Sequence, residues 1–250
     1  LADTVEVVVA DHAEAIYQVG ATDTIASLTV TGAGTVIIDS GQTLSTGDGD
    51  NSTIAGVISG DGSLTKLGGL STLTVSSSNT YTAATTVSAG TLKVTQNNAL
   101  GTVAAGTSVS AGATLQLDNI NYSTAEALAL SGTLGATGTS TYAGVTNIAA
   151  SAVINVATSA TLNMTAGVTG SAALEKTGAG ALTLSAANSF TGDLTVSAGK
   201  VDNNSTLGDT ADVIVANVAG AIYEVGAADT IASLALAGSN SSVVLTADLT

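Results

Sequence analysis

The sequence contains no cysteine, no proline, no tryptophan and no arginine, and it has only four lysines and one histidine among 250 residues. Without cysteine there are no disulfides and no thiol nucleophile. The missing proline is informative about strands. Proline removes a ladder donor, so a chain whose strands are paired on both edges has little use for it. Aromatic residues are 2% of the chain. Rings usually supply much of the area in a broad core, so Val, Ile, Leu and Ala must fill a thin one. The scarcity of basic residues excludes nucleic-acid binding, which needs clustered Lys and Arg to displace counterions. With nineteen acids the formal charge is −15, so an anionic membrane surface would repel the chain. The acids are scattered and read as a solvated, self-repelling surface. No run of 18 apolar residues marks a transmembrane helix, and no segment carries a helical apolar stripe. Hydrophobic residues at 45% argue against disorder.

What the sequence does have is repetition. The stretch LADTVEVVVADHAEAIYQVGATDTIASLTVTG from Leu1 aligns without gaps with LGDTADVIVANVAGAIYEVGAADTIASLALAG from Leu207, with twenty of 32 positions identical. A shorter repeat lies inside. LTKLGGLSTLTVSSSNTYTAATTVSAGTLKV from Leu64 matches LEKTGAGALTLSAANSFTGDLTVSAGKV from Leu174, with Asn79 opposite Asn188, Tyr81 opposite Phe190 and Gly90 opposite Gly199. Fainter echoes of the segment that follows stand near Gly112 (GATLQLDN) and Ala127 (ALALSG).

Within the repeats the period is two. Leu73-Thr74-Val75, Leu92-Lys93-Val94, Leu115-Gln116-Leu117, Leu182-Thr183-Leu184 and Leu194-Thr195-Val196 each place apolar residues on one side and polar residues on the other. Gly, Asn, Asp and Ser punctuate them. Strands this short need neighbours, and stacking successive coils supplies one above and one below. The expected fold is therefore all-β, a parallel β-helix (β-solenoid) of about 10–12 coils of roughly 20–25 residues each, about 50 Å long. It spans 1–250 continuously, with 1–206 as one tandem-repeat unit and 207–250 as the start of the next. The chain opens on Leu1 rather than Met and reads as an internal segment. Asn79 and Asn188 are expected either to satisfy backbone groups at corners or to be ordinary turn residues.

The ordered series Val57 to Lys66, Leu73-Thr74-Val75, Asn79-Thr80-Tyr81-Thr82, Thr86-Val87, Ala89-Gly90-Thr91-Leu92 and Ala99-Leu100-Gly101 resembles the passenger-associated repeat of bacterial autotransporters. The series Leu174 to Gly180, Leu182-Thr183-Leu184, Asn188 to Gly192 and Ala198-Gly199 is similar to it again. The resemblance implies a right-handed β-helix displayed outside a bacterial cell. It implies a scaffold and names no ligand.

No residue pattern points to catalysis, and no catalytic, cofactor-binding or metal site is expected. His12 is the sole histidine, and Val218 replaces it in the second copy; a solvent-facing loop position is expected. Ile38-Asp39-Ser40-Gly41 only approximates a serine-nucleophile motif. Lyases that act on acidic sugars need basic residues, and here only Lys66, Lys93, Lys176 and Lys200 are basic. Lys66 and Lys176 hold equivalent repeat positions, which argues for a structural role. No cofactor is expected; calcium is the one left open, at Asp48-Gly49-Asp50-Asn51 with Asp61, although the spacing is not that of an EF-hand or a calcium-binding β-roll. Thr72-x-Thr74 and Thr80-x-Thr82 read as plain strand faces. The reading is an extracellular structural solenoid of a surface filament, sheath or surface layer that associates with further copies of itself. The alternative is an adhesin that binds cells or glycans, and a polysaccharide-active enzyme is the remaining rival.

Overall fold

The computed structural model describes residues 4–47 and 49–250. Its strands are all parallel, and no helix occurs among the described residues. Each coil has three faces. Face one is a twelve-stranded sheet that runs from Glu6–Val9 to Ser233–Leu236. Face two follows it along the chain. It is built from a three-stranded sheet (Ile16–Val19, Thr35–Ile38, Val57–Gly60) and, after an interruption, a seven-stranded one (Asn121–Tyr122 to Ser242–Leu245). Face three is an eight-stranded sheet from Asp23–Thr24 to Val168–Gly170. Twelve strands on face one make eleven full coils. Coil length varies: Val75 pairs with Val94, 19 residues on, and Val30 pairs with Ile54, 24 residues on. The expected coil number, coil size and strand direction all agree with this. At about 4.8 Å per coil the rod is about 50 Å long.

Alternation sets the interior. Leu73 and Val75 stack on Leu92 and Val94, then on Leu115 and Leu117, all inward and fully buried. Thr74, Lys93 and Gln116 face out between them. Strands this narrow leave little room for rings, yet Tyr81, Tyr122, Tyr142, Tyr223 and Phe190 are all fully buried. Most of the chain's few aromatics therefore serve the core. Tyr122 and Tyr142 stack in successive coils with centroids 5.6 Å apart, a favourable offset geometry.

The two repeat lengths differ in their geometry. The 206-residue offset joins Glu6–Val9, the first strand of face one, to Asp212–Val215, its eleventh. Ten coils separate them, with no change of face. Thus Leu28 matches Leu234. Leu28 is fully buried beneath the coil that follows it, whereas Leu234, in the last described coil, is 38% exposed. The inner repeat behaves differently. Its first copy starts in Ser63–Lys66 on face three, but its second starts in Leu174–Thr177 on face one. Its later strands shift alike: Thr72–Val75 lies on face one and Ala181–Leu184 on face two. The copies are therefore about five and a third coils apart. The motif folds the same way on either face, so its instructions are local.

Candidate functional site

The repeated motif contains two buried polar clamps, and these are the most elaborate side-chain arrangements in the rod. Asn79 is 3% exposed and reaches across three coils. Its Oδ1 accepts the Ile58 N–H at 2.8 Å from the coil before, and its Nδ2 donates to the Ala99 carbonyl at 2.7 Å in the coil after. Ser77 Oγ donates to the same Oδ1 at 3.1 Å and to the Gly56 carbonyl at 2.7 Å. Asn188 repeats the pattern, accepting from Val168 N–H at 2.9 Å and donating to Thr206 O at 3.0 Å. Corners leave backbone groups without a ladder partner, and burying such a group unpaired is costly. Asparagine carries a donor and an acceptor on one short stem, which suits it to bridge both neighbours. Of the two readings open in the sequence, the structure selects the backbone-satisfying one.

The second clamp is a lysine in a ladder of apolar residues. Lys176 pairs in register between Ile154 and Val196, points inward and is fully buried. Its Nζ donates to the carbonyls of Thr177 at 2.8 Å, Gly178 at 2.8 Å and Ala198 at 3.1 Å. Lys66, also fully buried, donates to Leu67 O, to Gly68 O at 3.0 Å and to Ala89 O at 3.4 Å, and additionally to Gly47 O at 3.1 Å and Ser71 Oγ at 3.0 Å. The first three acceptors correspond one to one with those of Lys176. Burial lowers the Lys176 ammonium to about 8, since desolvation penalises the charged form. The other two lysines are tied at the surface: Lys93 to Asp118 at 2.6 Å, and Lys200 to Asp202 at 2.5 Å and Glu224 at 2.7 Å.

The clamp explains the repeated glycines. Gly199 has φ 66°, and a Cβ there would lie 2.4 Å from Gly180 O and 2.5 Å from Gly178 O. Gly90 is alike, with φ 67° and Gly68 O at 2.1 Å from a Cβ. Gly199→Ala is expected to cost roughly 2–4 kcal/mol from left-handed strain and overlap with backbone. A urea midpoint equal to the parent's would refute this.

A third buried group carries no such clamp. Glu126 is 1% exposed, and only its Oε1 has a partner, the Thr107 hydroxyl at 3.0 Å; Oε2 has none. One coil on, the Thr146 hydroxyl is likewise buried and unpartnered. The Tyr142 hydroxyl donates to the Glu126 carbonyl at 2.7 Å. No ion pair among the described residues involves Glu126. Burial pushes its carboxyl up to about 7, against the smaller opposing pull of the Thr107 hydrogen bond. The adjoining Tyr81, Tyr122 and Tyr142 hydroxyls are raised as well, also by burial.

The residues weighed for chemistry are not brought together. His12 is exposed in a turn, where its Nδ1 accepts Glu14 N–H at 3.2 Å. Asp39, in the turn ending at Gly41, accepts from Gln18 Nε2 at 3.1 Å. Asp48 lies outside the described residues. Asn51 Oδ1 accepts Thr72 N–H at 2.7 Å, and Asp61 accepts from Thr82 Oγ1 at 2.8 Å. Both tie neighbouring coils together. Among the described residues no group of three or more His, Asp or Glu could hold a metal ion.

A family model of the passenger-associated-transport-repeat matches residues 64–94 and 174–202. Each match begins two residues before its clamp lysine and encloses its clamp asparagine. No curated protein and no solved structure matches the chain.

Proposed function

We propose that this β-solenoid, an autotransporter passenger-type domain carrying two such repeats, serves outside the cell as a non-catalytic structural rod that assembles with further copies of itself. One observation carries the reading: what the repeat keeps points inward or turns a corner, and what it varies points outward. Lys66 and Lys176, Asn79 and Asn188, and Val87 and Val196 are buried and identical between copies, as are the corner glycines Gly90 and Gly199. Outward, Thr65 becomes Glu175 and Lys93 becomes Asp202, the latter a reversal of charge. A repeated binding surface would keep its outer residues, whereas a repeated girder keeps its inner ones. The adhesive alternative lacks support from exposed rings: of the six aromatics only Tyr17 is even partly exposed. Aromatic side chains are common in ligand sites.

Negative-stain microscopy tests the proposal. The chain is expected as straight rods that join into longer filaments or arrays as concentration rises. Isolated short particles at every concentration, with and without calcium, would sink the assembly reading. Turnover of an acidic polysaccharide that is lost on changing one Asp would replace it with the enzymatic one.

A further inference from the structure

The chain carries a formal charge of −15, so two copies approaching side by side repel each other over most of their surface. One region escapes this. On face three, five successive strands (Thr85–Val87, Thr107–Val109, Leu128–Leu130, Thr146–Ile148 and Val168–Gly170) and the corners on either side of them display no charged side chain. Residues 83–90, 101–113, 124–132, 143–151 and 165–173 contain a single ionisable residue, Glu126, and it is turned inside. The neutrality is bounded, since Asp61 stands one coil before this region and Asp193 one coil after it. Faces one and two carry Lys93, Asp118, Glu175, Asp202 and Glu224.

The outer row of the neutral region reads Thr86, Ser108, Ala129, Asn147 and Thr169. Beside it Ala84, Ala105 and Ala127 line a shallow groove of about 280 Å³. Val145 lies at the edge of that groove, 49% exposed, and Val103 is 56% exposed nearby. The region is flat, small-featured and uncharged, with an apolar ridge next to an apolar furrow. A two-fold axis would set the ridge of each copy in the furrow of the other, which is the self-complementary arrangement of an isologous contact.

We infer that this neutral stretch of face three is the surface through which two copies of the chain pack side by side. The inference rests on the reading of the molecule as a self-assembling rod and specifies which face does the assembling. Five coils at about 4.8 Å by some three residues of strand give about 240 Å² on each copy. That is well below the roughly 800 Å² per partner of a stable complex. One contact is therefore weak, and strength comes from several in line.

Cross-linking is suited to a weak contact, and the absence of native cysteine leaves a clean background. Ala129→Cys places a thiol in the neutral region, and Thr74→Cys places one at an outward, uncharged position of face one. In 0.5 M salt under mild oxidation, Ala129→Cys is expected to dimerise at least tenfold faster than Thr74→Cys. Adding Ala127→Asp to Ala129→Cys should remove that advantage, while circular dichroism verifies that the β-structure is kept. Equal rates for the two thiols would overturn the inference. So would an advantage that Ala127→Asp leaves untouched. If microscopy shows filaments or arrays while the thiols react equally, the rod reading stands and this face is the wrong one. If there are no assemblies and no thiol preference, both fall.

Discussion

Asn79→Ala will destabilise the coils on both sides of residue 79 by about 2–4 kcal/mol. The change strands the Ile58 N–H and the Ala99 carbonyl, whose contacts to Asn79 are 2.8 and 2.7 Å, in a place water does not reach. Each unpaired buried group costs about 1–3 kcal/mol, and the lost amide leaves a small void. Asn79→Asp separates the two halves of the clamp. It keeps an acceptor for Ile58 but points an anionic oxygen at the Ala99 carbonyl, so at neutral pH it should be at least as damaging as alanine. Solenoids open locally rather than all at once, so hydrogen exchange is the proper measurement. Amides of residues 57–60 and 91–100 should exchange faster, and those beyond residue 200 should not change. Uniform protection in both variants would show that the clamp is dispensable.

Stability will fall as pH rises from about 4.5 to 7, and Glu126→Gln will remove much of that fall. Glu126 titrates at about 7 in the fold, against an ordinary value of 4.5. Between those values the folded chain holds a proton that the unfolded chain has released. The stabilisation is full below about 4.5 and is lost as pH passes 7. A displacement of that size is worth about 3 kcal/mol. Wild type and Glu126→Gln should therefore match near pH 4.5, and the variant should be the more stable at pH 8. Comparison with the variant cancels the other acids, among them Asp229, whose carboxyl burial also raises. Parallel curves for the two proteins would refute the assignment. Lys176 acts in a separate window and with the opposite slope. Its folded value of about 8 lies below the ordinary 10.5, so the unfolded chain binds the extra proton and stability rises with pH between those limits.

Much of this is legible in residues taken two at a time. Alternation in Leu73-Thr74-Val75 and its relatives locates the strands, and the turn residues between them set the coil length. The same rule points at the buried charges. Lys66 is two residues from Leu64, and Glu126 is two residues before Leu128 and four before Leu130, so period two sends each of them inward. A Lys or Glu on an inward position is so costly without partners that composition argues against what alternation says, and nothing else in the sequence around Glu126 marks it. For Lys66 and Lys176 recurrence in the repeat signals a structural role, but the ring of carbonyls that makes burial tolerable is completed by the next coil. That partner is 22 residues away at Ala198 and has no local signal. The change of face between the two motif copies is hidden for a similar reason. It is the accumulated result of coils that vary between 19 and 24 residues, and no single corner reveals it.

That change of face has a bearing on how such a rod can lengthen. Duplicating the stretch from Lys66 to Lys176 alone would advance everything downstream by a third of a revolution, and a neutral side on one segment would be answered by an acidic side on the next. Duplicating 206 residues adds ten whole revolutions and keeps every segment in phase, with each side chain returning to the same azimuth about 48 Å further along. Of the two repeat lengths written into the chain, only the longer can be multiplied without scrambling the direction in which the surface looks.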